Sequence, residues 1–240
     1  MKIWNLGSHI PDGESESCYR DIVPLDGDWK KIALVDTSVD IGKWGILPTE
    51  EWQCGRHLET TNMPTRLKVT KGPACRKDRP LIYEDYINWG GGQKQLCSTR
   101  FRTVLEALDP GAHQFVPVSI EDKAGNVVSD DYFWFAPGNR VFALDAQKTQ
   151  PPMEPYKTGP GWINPHQDRP AMNFDQRNRP VENWAPVFHA DKIGDRHVFC
   201  DGEFPRRIFM TDTMRQAIED NNLIGAGVGR LFTGPFRAEE

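Results

Sequence analysis

The sequence is poor in the features that assign a chain quickly to a membrane, a secretory route or a reaction centre. No stretch of the 240 residues approaches the ~18 consecutive apolar side chains that read as a membrane-spanning helix. Residues 1–15 lack the apolar run of about 7–15 residues that marks a secretory leader, so a cytoplasmic chain is expected. Cysteine is scarce: Cys18, Cys54, Cys75, Cys97 and Cys200 are odd in number and irregular in spacing. That excludes a disulfide framework and leaves reduced thiols as the expectation. Positive charge is also short, with 29 Lys and Arg against 34 Asp and Glu and a net charge of −5. The basic clusters at Arg76, Lys77 and Arg79 and at Arg206 and Arg207 are too small for a nucleic-acid or anionic-membrane surface. Neither is expected as a direct partner.

Catalytic signatures are missing as well. There is no Gly-x-Ser-x-Gly elbow to expose a nucleophile. His197 and Cys200 have ligand-like spacing, but no second pair completes four ligands, so a core strand is the better account of both. Gly225, Gly227 and Gly229 follow a helical pattern with the wrong period for a dinucleotide loop, and no Lys-Ser or Lys-Thr pair follows Gly90–Gly92. Asp130–Asp131 and Glu50–Glu51 are adjacent, so in a strand each pair would point to opposite faces. No catalytic residue, metal ligand or cofactor is assigned. Six histidines (His9, His57, His113, His166, His189, His197) keep one alternative open: a hydrolase in which several of them converge with carboxylates.

What the chain does contain points to a packed α+β protein. Hydrophobic residues make up 38%, enough for a core, and eight Trp and twelve Phe accompany 21 Gly and 19 Pro. Mixed or antiparallel sheets, a few amphipathic helices and long Pro/Gly-rich loops follow. Expected strands are Lys2–Leu6, Lys31–Val35, Arg66–Val69, Phe115–Ile120, Tyr132–Ala136, His197–Cys200 and Arg207–Met210. Pro117 places its strand at an edge or bulge. Helices are expected over 98–108 and 212–222. In the first, Ser98 caps and Phe101, Val104, Leu105 and Leu108 share one face. In the second, Thr211 or Asp212 caps and Met214, Ala217 and Ile218 face inward. The two also align as Phe101-Arg-Thr-Val-Leu-Glu106 and Met214-Arg-Gln-Ala-Ile-Glu219. A shared helix–turn–strand plan or chance would each produce that. The chain reads as one domain over 1–240, or as two lobes of about 1–95 and 96–240.

Two segments stand out as surfaces. Between Asp12 and Asp28 six carboxylates (Asp12, Glu14, Glu16, Asp21, Asp26, Asp28) face the single base Arg20. They form either a solvated loop or an acidic face that steers a basic partner. Residues 150–186 carry eight prolines together with Trp162 and Trp184. Proline at that density prevents regular ladders, so the segment reads as an excursion pinned by its aromatics or as a partner contact.

Met1-Lys-Ile-Trp-Asn-Leu6, Ser98-Thr-Arg-Phe-Arg-Thr-Val-Leu-Glu106 leading into Gln114-Phe-Val-Pro-Val118, and Ile208-Phe-Met-Thr-Asp-Thr-Met-Arg-Gln-Ala-Ile-Glu219 closing on Leu223-Ile-Gly225 resemble a bacterial immunity-protein family. It is the eleventh catalogued in polymorphic toxin systems. The resemblance implies a protein that protects its producer by binding a cognate secreted toxin, a nuclease domain with a basic surface being the expected partner. It brings no catalytic residues. The expected toxin contacts are Asp12, Glu14, Glu16, Asp21, Asp26, Asp28, Trp162 and Trp184. A toxin-reversing hydrolase and a secretion-system adaptor are the alternatives.

Overall fold

Side-chain alternation along the strands divides the apolar residues among three cores, and these define the architecture. The computed structural model describes residues 1–8, 20–35, 55–72, 77–89, 94–150, 152, 154–155, 162–163, 185–202, 204–228 and 235–239. In chain order the elements are β1 (Lys2–Ser8), β2 (Arg20–Pro24), β3 (Arg66–Lys71), β4 (Tyr86–Trp89), β5 (Lys94–Ser98), α1 (Thr99–Leu108), β6 (Gln114–Glu121) and β7 (Val127–Ala136). There follow β8 (Arg140–Val141), β9 (Glu154–Pro155), β10 (Trp162–Ile163), β11 (Val187–His189), α2 (Ala190–Ile193), β12 (Val198–Asp201), β13 (Phe204–Thr211), α3 (Asp212–Asp220), β14 (Ala226–Val228) and β15 (Phe236–Glu239). One sheet runs β11-β15-β1-β13-β12-β8 with β14 also on β1; the other runs β2-β3-β6-β7-β5-β4. A third, two-stranded sheet pairs β9 with β10; the fold is α+β, and each of the two large sheets draws strands from both sides of residue 95.

The first sheet closes on itself. Beyond β8 the chain turns back to β11, where Leu144 bridges Phe188. The His189 amide donates to the Ala143 carbonyl at 2.7 Å, and the Asp145 amide donates to Val187 at 2.8 Å. The two edges of the sheet are thereby joined, as in a small barrel. Its interior holds Ile3, Val141, Phe188, Phe199, Phe209 and Phe236. Ring centroids lie 5.1 Å apart for Phe188–Phe209 and 5.6 Å for Phe199–Phe209. The interior is therefore packed side chain rather than ligand space.

Period-two alternation sends the neighbours of these residues outward. Trp4, Leu6, Val198, Cys200, Ile208 and Met210 meet Tyr86, Cys97 and Phe135 of the second sheet, with α1 and α3 between. The opposite face of the second sheet buries Ile22, Leu67, Val69, Leu96, Ile120 and Trp134 against Ile32, Leu34, Leu58 and Met63.

The two helices are built alike. Each leaves its strand through an extended cap, Ser98 (φ −79°, ψ 166°) or Thr211 (φ −79°, ψ 168°). The buried residues stand three and seven positions past the cap: Phe101 and Leu105 in α1, Met214 and Ile218 in α3. This is the alignment seen in the sequence, expressed as one strand–cap–helix plan used twice. The caps differ chemically. The Ser98 hydroxyl accepts the Phe101 amide at 3.2 Å, whereas the Thr211 hydroxyl pairs with the His197 ring at 3.0 Å and leaves α3 without a side-chain cap.

Several expectations need correcting. Lys31–Val35 is not a strand: Trp29–Lys31 forms a 3₁₀ turn and Leu34 makes only a bridge to Leu58. The Asp28 side chain accepts the Lys30 amide and favours the turn. The second helix ends at Asp220, and Asn221–Asn222 form the turn after it, with Asn222 at φ 48°. Pro117 lies in an interior strand and not an edge one, but a bulge follows it, where the β6–β7 register shifts between Val118 and Ile120; β3 pairs only with Ser119–Glu121, so that ladder stops before the position that lacks an amide hydrogen. Gly90–Gly92, expected as a turn, and Leu231 and Phe232, expected to end the core, lie outside the described residues.

Candidate functional site

Of the expected contact residues, Asp12, Glu14, Glu16 and Trp184 lie outside the described residues, and Trp162 is described only as part of β10. The remaining three carboxylates line up on and just after β2, where their environments diverge. Asp21 is exposed. Asp26 accepts the Thr65 amide and hydroxyl, both at 2.7 Å, and the Arg66 amide at 3.0 Å. Burial pushes its pKa up, but the bonds from Thr65 and Arg66 outweigh this and hold the carboxyl below its ordinary value. Asp28 caps the 3₁₀ turn and lies 3.5 Å from the Lys31 ammonium. Asp26 and Asp28 thus tie the start of the second sheet together, and removing either costs local structure as well as charge.

Around Asp21 the second sheet presents a face that the sequence reading missed. Register sets Val23 beside Lys68, Lys68 beside Glu121, and Glu121 beside Val127, one row across four strands. Where β4, β5 and the end of β7 lie, this face is covered by α1 and the first sheet, and the Arg102 guanidinium sits over Phe115 and Phe133 at its border. The β2–β3 half carries exposed Asp21, Val23 and Leu25, and Val127 and Val128 are exposed at the start of β7. The Arg66 guanidinium lies 2.6 Å from Glu121 within it. The alternation Asp21-Ile22-Val23-Pro24-Leu25 was the available signal: with Ile22 inward, its neighbours must point out.

Two histidines reach one carboxylate, His113 through its ring and His197 through its backbone amide. Asp109, buried at the end of α1, accepts the backbone amides of His197 at 2.9 Å and Val198 at 2.7 Å. The His113 Nε2 donates to it at 3.2 Å, while His113 Nδ1 accepts the Gly138 amide at 3.1 Å. That acceptor role puts the ring hydrogen on Nε2. His57 approaches the Ala112 carbonyl next to Gly138. Burial raises the Asp109 pKa, but the bonds from His113, His197 and Val198 bring it below the ordinary value. Both ring nitrogens of His113 are engaged and its side chain is fully enclosed, so the cluster is a strut: it joins β12 of the first sheet to the start of β6 in the second. His189 is elsewhere, 3.6 Å from Asp145, and His166 lies outside the described residues.

A matching strut occupies the other end of α1. Asp85 accepts the Ser98 hydroxyl at 2.5 Å, the Arg100 guanidinium at 2.9 Å and the Ile224 amide at 2.8 Å. Arg100 also donates to the Asn221 carbonyl at 2.7 Å. Gly225, at φ +82°, lets that turn pass against the Tyr86 carbonyl and Glu84, where a Cβ would collide. Beside α3 lies a shallow groove of about 600 Å³ lined by Lys2, Leu108, Asp212, Arg215, Gln216 and Asp220. Asp212 of this lining accepts the Trp4 indole at 2.7 Å, and the Arg215 guanidinium lies over the Trp4 ring. Charges of both signs line it, so it favours no one ligand class. Among the described residues no group of three or more His, Cys, Asp or Glu is arranged to hold a metal, and no helix is long and apolar enough to cross a membrane.

The model of the immunity protein family Imm11 matches residues 43–229. The chain belongs to the Imm11 immunity protein family. The matched region contains both strand–cap–helix units, both carboxylate struts and the 150–186 excursion. It begins beyond every carboxylate of the Asp12–Asp28 stretch, so in this Imm11 protein the acidic segment stands outside the matched region. No curated protein matches the chain.

Proposed function

We propose that this Imm11 protein neutralises a cognate secreted toxin in the cytoplasm by stoichiometric, non-enzymatic binding. The observation that carries the reading is the family match over residues 43–229, since immunity proteins act on partner toxins. Two further features support it. The carboxylate struts hold α1 rigidly between the sheets, and the net charge of −5 suits a basic partner. A nuclease domain is the proposed partner, because a surface that holds phosphates is basic and an acidic protein can occupy it.

The proposed contact surface combines Asp12, Glu14, Glu16 and Asp21 with the exposed face at Val23, Leu25 and Val127. Asp26 and Asp28 shape its edge, and Trp162 and Trp184 are proposed as aromatic anchors. A stable complex of this kind buries roughly 1,200–2,000 Å². Co-expression with the toxin encoded beside the gene tests the reading through pull-down and growth rescue. Co-purification with restored growth is expected; neither would occur if the chain does not act on that toxin.

A further inference from the structure

The two strand–cap–helix units carry one arginine each at the same place, and the two arginines are satisfied differently. Arg102 and Arg215 each follow the first buried anchor of their helix, Phe101 and Met214, and each guanidinium covers an aromatic ring. Each helix also places a glutamate four positions on, one turn away. In α3 Glu219 meets Arg215 at 2.8 Å. In α1 Glu106 does not meet Arg102, and among the described residues no other carboxylate does. The Arg102 guanidinium instead lies over the rings of Phe133, at 4.8 Å, and Phe115, at 5.3 Å. The support beneath it is rigid. Phe115 stacks on buried Phe135 at 5.6 Å and meets Phe133 edge-on at 6.3 Å, and α1 is held at both ends by the Asp85 and Asp109 struts. Both outer rings are half-buried, and exposed Pro117 stands beside Phe133 in the register. Arginine spread over half-buried aromatics is the composition that carries binding energy in protein interfaces. The platform shares its sheet face with Asp21, Val23 and Val127. It stands six residues back along β6 from Glu121, roughly 20 Å at ~3.3 Å per residue. An interface of the standard ~800 Å² per partner is wide enough to span that separation.

We propose that Arg102, with Phe115, Phe133 and Pro117, is a second pole of the toxin-contact surface, and that it takes a carboxylate side chain of the toxin flanked by apolar groups. The proposal rests on the toxin reading and adds the partner's chemistry at this end of the face. The guanidinium edge takes a carboxylate bidentately while its plane stays on the rings. Asp21 at one pole matches a cation and Arg102 at the other an anion, so together they fix the register in which the partner docks. A nucleic acid is the poorer occupant. Exposed Asp131, on the same strand face as Phe133, and Glu106, one turn from Arg102, repel a polyanion.

The test is titration calorimetry of the full chain and two variants against the purified toxin encoded beside the gene, with the melting of each variant recorded. Arg102→Gln removes the charge. Pro117→Glu leaves Arg102 in place and sets a carboxylate of this chain beside Phe133. Each is expected to weaken toxin binding about tenfold or more, the loss that marks a hot-spot residue. Each is also expected to melt within about 4 °C of the parent, so that the lost affinity is not lost fold. Should Arg102→Gln fail to fold, Pro117→Glu decides. Variants that bind as tightly as a parent that binds overturn the inference and leave the toxin reading standing; a parent that does not bind overturns both. A single-stranded oligonucleotide is the control probe. Saturable binding of it by the parent, lost in Arg102→Gln, would assign the platform to nucleic acid and overturn the inference.

Discussion

Asp109 shows how one buried carboxylate can carry an arrangement that resembles chemistry. Its oxygens accept the amides of His197 and Val198, at the start of β12, and the His113 ring, so they are spent on joining the two sheets. In Asp109→Asn the amide hydrogens must face existing donors, and a loss of about 2–3 kcal/mol is expected in chemical denaturation at neutral pH. The pH dependence has a definite sign. The folded pKa values of Asp109 and Asp26 are lowered, so the stability they contribute is present above the unfolded value of about 3.9 and lost as pH falls through the folded values. The native chain should lose stability progressively below about pH 4, and Asp109→Asn should do so less steeply. An acid limb of identical slope in both would contradict this role. None of this was legible in the sequence, because the backbone amides that Asp109 accepts lie 88 and 89 residues away.

Helices α1 and α3 were the most legible elements, because cap and apolar spacing are local signals. Phe101 and Leu105 are both fully buried, as their spacing requires. Leu105→Ala is expected to cost ~2–5 kcal/mol; Ser98→Ala is expected to cost about 1–3 kcal/mol, because it removes the cap on Phe101 and leaves buried Asp85 one donor short. Urea denaturation measures both; a Leu105→Ala loss below about 1 kcal/mol would mean that α1 is not packed as described. The strands were read less well. Lys31–Val35 has strand-like composition, yet the Asp28 cap draws its start into a 3₁₀ turn. Closure of the first sheet rests on Ala143–Asp145 meeting Val187–His189, a contact across the Pro-rich excursion that no local pattern announces. The row from Val23 to Val127, exposed at its two ends, depends on a parallel β3–β6 pairing that is equally silent in sequence.

At the scale of the whole molecule, two sheets clamp a pair of equivalent helices, and the surfaces left over are available for a partner. Charge reversal at Glu14 and Glu16 should slow association with the toxin at low salt, with the effect shrinking as salt screens it, while the melting temperature stays nearly constant. Stopped-flow binding at two ionic strengths measures this; unchanged rates at low salt would remove those residues from the contact surface. The central claim is that protection is stoichiometric. Titrating a fixed amount of active toxin with the purified chain tests it most directly. Activity should fall linearly to an end point near one equivalent, and toxin recovered after denaturing separation and refolding should be unmodified and active. Protection by a small fraction of an equivalent, or recovery of chemically altered toxin, would contradict the account.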